Sequence, residues 1–146
     1  MLILFDSSVW IEFLVEDSEH KEKIREIYNQ AGSKIIVSKI NIYEVYAKLG
    51  QTKGWQAANN AIEKIMANSF IIELELAIIK EAVHLRNEKG LSTADSIIAA
   101  TAIKYNAMLV TCDNDFNVLM KNKFHQEIVS EGHGILKDKI KLKFIY

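Results

Sequence analysis

Four carboxylates in this 146-residue chain stand where chemistry would need them. Asp6 directly follows the apolar run Leu2 to Phe5, and Asp113 comes three residues after Val110. If both runs are strands of one parallel sheet, the two acids fall at the same edge. Asp95, in STADSIIAATA, shares a helical stripe with Ile98, Ala99 and Ala102 at i+3, i+4 and i+7, which places it on a core-facing side. Glu44 is the only charge between Lys39 and Lys48, on a helix apolar on most sides. Each acid also has a local use: Asp6 and Asp113 suit helix caps or turns, and Ser92 to Asp95 matches a capping box with Asp in place of Glu. Together, four acids at one sheet edge would repel one another by several kcal/mol in a low-dielectric cleft unless a cation sits among them. Oxygen-only ligands suit hard ions, so Mg²⁺ or Mn²⁺ is expected. Such an ion can activate water and neutralise charge on phosphate, which makes phosphodiester hydrolysis the natural reaction.

The elements that must position these acids alternate between short apolar runs and amphipathic helices. Strands are expected at Leu2 to Phe5, Lys34 to Val37, Phe70 to Leu74, Ala107 to Val110 and near Glu127 to Val129. The first helix, capped by Ser7 or Ser8, carries Val9, Trp10, Phe13 and Leu14; the next carries Ile24, Ile27, Tyr28 and Ala31 and stops at Gly32. Ser38 is the expected cap of a helix with Ile42, Val45, Tyr46 and Leu49 on its apolar stripe, and Trp55, Ala58, Ile62 and Ile65 mark another. Leu76 to Lys89 closes at Gly90, Ser92 to Tyr105 is rich in alanine and isoleucine, and a short helix follows Asp115. Strands separated by helices argue for an α/β fold of three layers, α/β/α, around a mainly parallel sheet. The tail, Lys139 to Tyr146, alternates with period two and reads as an extra strand with Ile140, Leu142, Phe144 and Tyr146 on one face and lysines on the other.

Composition narrows the class. Length and 49% hydrophobic content fit one domain over residues 1–146, with a basic extension at about 131–146. No apolar run approaches a membrane span, and a single cysteine, Cys112, fits a reducing compartment, so a cytoplasmic location without membrane association is expected. A net charge of -1 leaves nucleic-acid binding to local patches or metal. His20, His84, His125 and His133 form no i, i+4 pair. Neither G-x-x-x-x-G-K-[ST] nor G-x-G-x-x-G occurs, and Asp6-Ser7-Ser8 lacks the Asp-x-Asp pair of a haloacid-type phosphatase.

The segments LILFDSSVWIEFL, SKINIYEV, LSTADSIIAATAIKYNAMLVT and TCDNDF together resemble PIN-domain nucleases, most of all the compact VapC-type toxins, over roughly the first 130 residues. The resemblance implies Asp6, Glu44, Asp95 and Asp113 as metal ligands and catalytic acids, with supporting hydroxyls at Ser7, Ser8 and Thr111. Asp115 is an additional acid that also suits the cap of the helix carrying Phe116 and Leu119. A metal-dependent ribonuclease is implied, often a homodimer and often held by a cognate antitoxin. The departure is at the end, where the chain continues through GHGILKDKIKLKFIY. Two other readings stay open at this level: a catalytically idle PIN-like module that binds RNA or protein, and a DNA-directed or structure-specific nuclease on the same metal site.

Overall fold

The computed structural model describes residues 2–14, 18–31, 34–120 and 140–145. Their order is β1 (Ile3–Phe5), α1 (Ser7–Leu14), α2 (Lys21–Ala31), β2 (Ile35–Ser38), α3 (Lys39–Lys53), α4 (Trp55–Asn68), β3 (Phe70–Ile72), α5 (Leu76–Lys89), α6 (Thr93–Lys104), β4 (Met108–Thr111), a 3-10 helix (Asn114–Met120) and β5 (Lys141–Phe144). The strands form one sheet in the order β3-β2-β1-β4-β5, with every pair parallel. Parallel neighbours need helical crossovers, and the helices cover both faces.

That double cover explains why the central strands are apolar except at the carboxyl ends of β2 and β4, Ser38 and Thr111. Leu4, Ile36 and Leu109 point into a core shared with α5, α6 and the 3-10 helix through Ile78, Leu85, Ile98 and Phe116. The alternate residues Ile3, Phe5, Ile35, Val37 and Val110 face α1 to α4, meeting Val9, Trp10, Ile24, Val45, Leu49 and Ile65. Trp10 fixes α1 against the sheet, with its ring edge-to-face on Phe5 at 5.3 Å between centroids. Gly90 ends α5 at φ 71°, a left-handed conformation that glycine takes at no steric cost, and its N–H reaches the Arg86 carbonyl at 2.9 Å. Two residues on, the Ser92 hydroxyl accepts the Asp95 N–H and starts α6.

The three-layer expectation holds, and so does the added C-terminal strand. The face assignment of that strand needs correction. Ile140, Leu142 and Phe144 do join the core of α5 and α6, but Ile145 is also buried, at 4% exposure, in the opposite core. Its N–H bonds the Thr111 carbonyl at 2.8 Å, so the pairing runs one residue past β5 and both faces are covered there. Residues 141–144 are thus an edge of the main sheet. Two aromatics expected in the core lie outside it: Tyr46 and Trp55 are exposed, because α4 turns back on α3 with the indole over Gly50. The expected helix after Asp115 begins at Asn114, one residue before that acid, and is 3-10. Gly32, the strand near Glu127 to Val129, His125, His133, Lys137, Tyr146 and the remainder of the extension at 131–139 lie outside the described residues. Among the described residues no helix is long and apolar enough to cross a membrane.

Ile145→Ala should lower stability by about 2–4 kcal/mol, the range for truncating a buried isoleucine. The half-buried Leu142→Ala should lose less. Thermal melting of both variants checks the order, and an unchanged melting temperature for Ile145→Ala would show that β5 does not belong to the cooperative core.

Candidate functional site

Four chain segments deliver acids to the carboxyl edge of the central strands. Asp6 follows β1, Asp113 follows β4, Glu44 sits in the second turn of α3, and Asp95 lies in the first turn of α6. Asp6 is 4% exposed. Its Oδ2 accepts hydrogen bonds from Thr111 Oγ1 and Ser8 Oγ, each at 2.9 Å, and Asn41 Nδ2 lies 3.5 Å from Oδ1. Thr111 works in both directions, since its hydroxyl also accepts the Asp113 N–H at 2.9 Å. Ser8 does likewise, accepting the Cys112 N–H at 3.1 Å. The hydroxyls of α1 and β4 therefore lock the first acid to the loop that carries the last.

Glu44 is held by Ser7, whose Oγ donates to Oε1 at 2.6 Å and accepts from Asn41 Nδ2 at 3.1 Å. Asn41 was not singled out in the sequence. It is fully buried, and its Oδ1 accepts the Ser38 N–H at 3.2 Å, completing a capping box at the start of α3. The signal was present as Ser-x-x-Asn after an apolar strand, but Asn in place of Glu or Gln conceals it. The geometry also revises Asp115. Its N–H is accepted by Asp113 Oδ1 at 2.9 Å, so Asp113, not Asp115, caps the 3-10 turn. Asp95, Asp113 and Asp115 each offer an oxygen, all within 4.8 Å of one another. That trio could hold a cation.

The electrostatics tie the set together. Burial is the largest influence on Asp6 and lifts its carboxyl above the usual range, against the hydrogen bonds from Thr111 and Ser8. Glu44 is raised by burial, opposed by Ser7 and assisted by the charges of Asp6 and Asp113. Asp95 is pushed up to about 6 by burial, then by Asp6, with Asp113 and Glu44 adding to it. Ser7 and Asn41 link Glu44 to Asp6, Thr111 links Asp6 to the Asp113 backbone, and Asp95 and Asp113 bring oxygens within 4.8 Å of each other, so the four acids form one cluster. None of the four is in an ion pair with Lys or Arg among the described residues. All donors are oxygens, which fits a hard divalent cation, and the raised carboxyls are those of acids short of positive charge.

Without added metal the raised acids hold protons in the folded state that they release on unfolding. Stability is therefore greatest below the ordinary carboxylate range and falls as pH rises from about 4 through about 6. Melting of the chelated protein should show that decline, and Asp95→Asn should flatten it while adding about 1–2 kcal/mol at neutral pH. A profile rising across that window would contradict the cluster. Asn41→Ala should cost about 1–3 kcal/mol by stranding the buried Ser38 N–H. Melting as stable as wild type would remove Asn41 from the scaffold.

The PIN domain family model matches residues 3–121. Among solved structures, VapBC2 from Rickettsia felis, bound to a DNA fragment from their promoter, superposes with a TM-score of 0.71 at 18% identity, covering 100% of each chain. DNA-bound VapBC from Salmonella typhimurium gives 0.69 at 17%, covering 99% of this chain and 98% of that one. VapC20 from Mycobacterium tuberculosis, described as a sarcin-ricin loop cleaving toxin, gives 0.68 at 17%, covering 79% and 92%. No curated protein matches by sequence. At these identities the structures speak for the fold, whereas the family match runs from β1 through the 3-10 helix and takes in every acid of the cluster. On that match the chain belongs to the PIN domain family.

Proposed function

We propose that this chain is a Mg²⁺- or Mn²⁺-dependent endoribonuclease acting as the toxin of a toxin–antitoxin pair. The observation that carries the reading is the convergence of Asp6, Glu44, Asp95 and Asp113 from four separate elements, with no ion pair to Lys or Arg among the described residues. Asp6, Asp95, Asp113 and Glu44 are the proposed ligands and catalytic acids, and Asp115, with an oxygen close to those of Asp95 and Asp113, supports them. A divalent ion bound there would lower the pKa of an attacking water and neutralise charge on the scissile phosphate. The chain's own contribution is orientation. Thr111 and Ser8 occupy one oxygen of Asp6, and Ser7 fixes one oxygen of Glu44, which limits the directions left for a ligand. Ser7, Thr111 and Asp115 are thus the proposed supporting residues.

RNA as substrate and an antitoxin as partner are supported by the likeness to VapC20 and to the VapBC complexes. A homodimer is supported by the aliphatic stripe Leu76, Ile79 and Val83, exposed at i, i+3 and i+7 on α5. We also read residues 1–146 as one domain working in the cytoplasm, in keeping with the continuous sheet and the single thiol.

Purified protein should cleave single-stranded RNA with Mg²⁺ or Mn²⁺ and stop with a chelator. Asp6→Asn should abolish cleavage while melting at or above the wild-type temperature without metal, because it removes one of the repelling charges. Millimolar Mn²⁺ should raise the wild-type melting temperature by mass action. An Asp6→Asn variant with full activity, or a wild type whose melting and cleavage ignore Mn²⁺, would sink the assignment. Equal cleavage of single-stranded DNA would widen the substrate class.

A further inference from the structure

A cavity of about 450 Å³ lies between α1, α2 and α4, within the range of small-molecule sites. Three rings form its apolar side: the centroids of Trp10 and Phe13 are 6.5 Å apart, and those of Phe13 and Tyr28 5.4 Å. Three cationic side chains, Lys21, Arg25 and Lys64, share the lining, whereas no carboxylate lines it among the described residues. Hydrogen-bond donors are therefore in excess. The one side-chain amide oxygen in the lining, Asn68 Oδ1, already accepts the Tyr28 hydroxyl at 2.8 Å. Arg25 meets Glu22 at 2.6 Å in an exposed pair, which uses one donor of its guanidinium. Trp10 adds a donor from the core side. The residue is 1% exposed, and its indole N–H has no hydrogen-bond partner. Buried donors are normally paired, so a wall that leaves one unpaired beside a cavity is short of an acceptor.

We propose that this cavity is a binding site for a small aromatic carboxylate, separate from the acid cluster and independent of the nuclease reading. The rings offer an apolar surface to a flat body, and the indole N–H with the cations of α2 and α4 offers the donors that a carboxylate accepts. Each half of that ligand answers a different half of the lining. An inorganic anion would leave the aromatic side unfilled, and a neutral aromatic would leave the cations without a charge to meet. Lys64 carries the assignment of charge furthest, because it is exposed on α4 and in no ion pair among the described residues.

The chain holds two tryptophans, so a proton–nitrogen correlation spectrum contains two indole N–H signals, and the loss of one in Trp55→Phe assigns the other to Trp10. Phenylpropionate at millimolar concentration should move the Trp10 signal downfield as the N–H gains an acceptor, and leave the Trp55 signal in place. Acetate has the charge without the body and should move neither. Phenylpropanamide has the body without the charge and should bind about tenfold more weakly than the acid. Lys64→Gln and Arg25→Gln should each weaken phenylpropionate about fivefold, with amide binding unchanged and melting near wild type because both side chains are exposed. Equal affinity for acid and amide, or full affinity for the acid in both charge variants, would overturn the assignment of an anion. A Trp10 signal that stays in place throughout the titration would overturn the site. A signal moved by a peptide containing Phe-Asp and not by phenylpropionate would overturn the small ligand and assign the cavity to a protein partner.

Discussion

Everything at the carboxyl edge of the sheet answers to one electrostatic constraint: several carboxylates are kept close together and largely out of water, with no lysine or arginine paired to them among the described residues. A basic side chain would relieve the repulsion permanently and leave nothing for an external cation. The fold uses neutral donors in its place. Ser7, Ser8, Thr111 and Asn41 hold the acids in position, and each also bonds a backbone N–H or a second side chain. Hydroxyls and amides can orient a charge without cancelling it, so the unfavourable energy stays available to reward a bound ion. The site is accordingly a stability deficit built into an otherwise well-packed core.

The same economy shows in α3, which serves two surfaces at once. Its inner side sends Asn41 toward Asp6 and Ser7, and Glu44 meets Ser7. Its outer side carries Tyr43 and Tyr46, with Trp55 folded back onto Gly50. A single capping box, Ser38 with Asn41, sets where this helix starts and therefore the angular position of every one of those residues. Shifting that start by one residue would rotate Glu44 by about 100° away from the cluster.

How far all this could be read from the sequence depended on whether the deciding force was local. Asp6 and Asp113 were legible because apolar runs ending in an acid specify both a strand and its carboxyl end, and Asp95 because a helical stripe placed it toward the core. Gly90 and Ser92 marked their helix ends by backbone conformation and capping alone. What stayed hidden was set by distant partners. Trp55 has the spacing of a core residue and loses that role only because Gly50 leaves a seat for it on α3. Ile145 breaks the period-two pattern of the tail because β4 continues beside it at Thr111. Asp115 gave up its capping role to Asp113, a choice between two acids that spacing alone could not make.

The pairing of β1 with β4 carries a consequence for the order of events during synthesis. Asp6 and the Thr111 hydroxyl that restrains it are separated by 105 residues. At ribosomal speeds of about 5–20 residues per second, roughly 5–20 s pass between the emergence of the first acid and of the loop that completes its surroundings. Through most of that interval β1 can pair with β2 and gather α1 to α4 around it, while Asp95 comes only near its end and Asp113 after it. A chain terminated before Asp95 therefore holds half of the carboxylate set and none of its closing strand. Topology by itself keeps the acid cluster incomplete until most of the chain has been made.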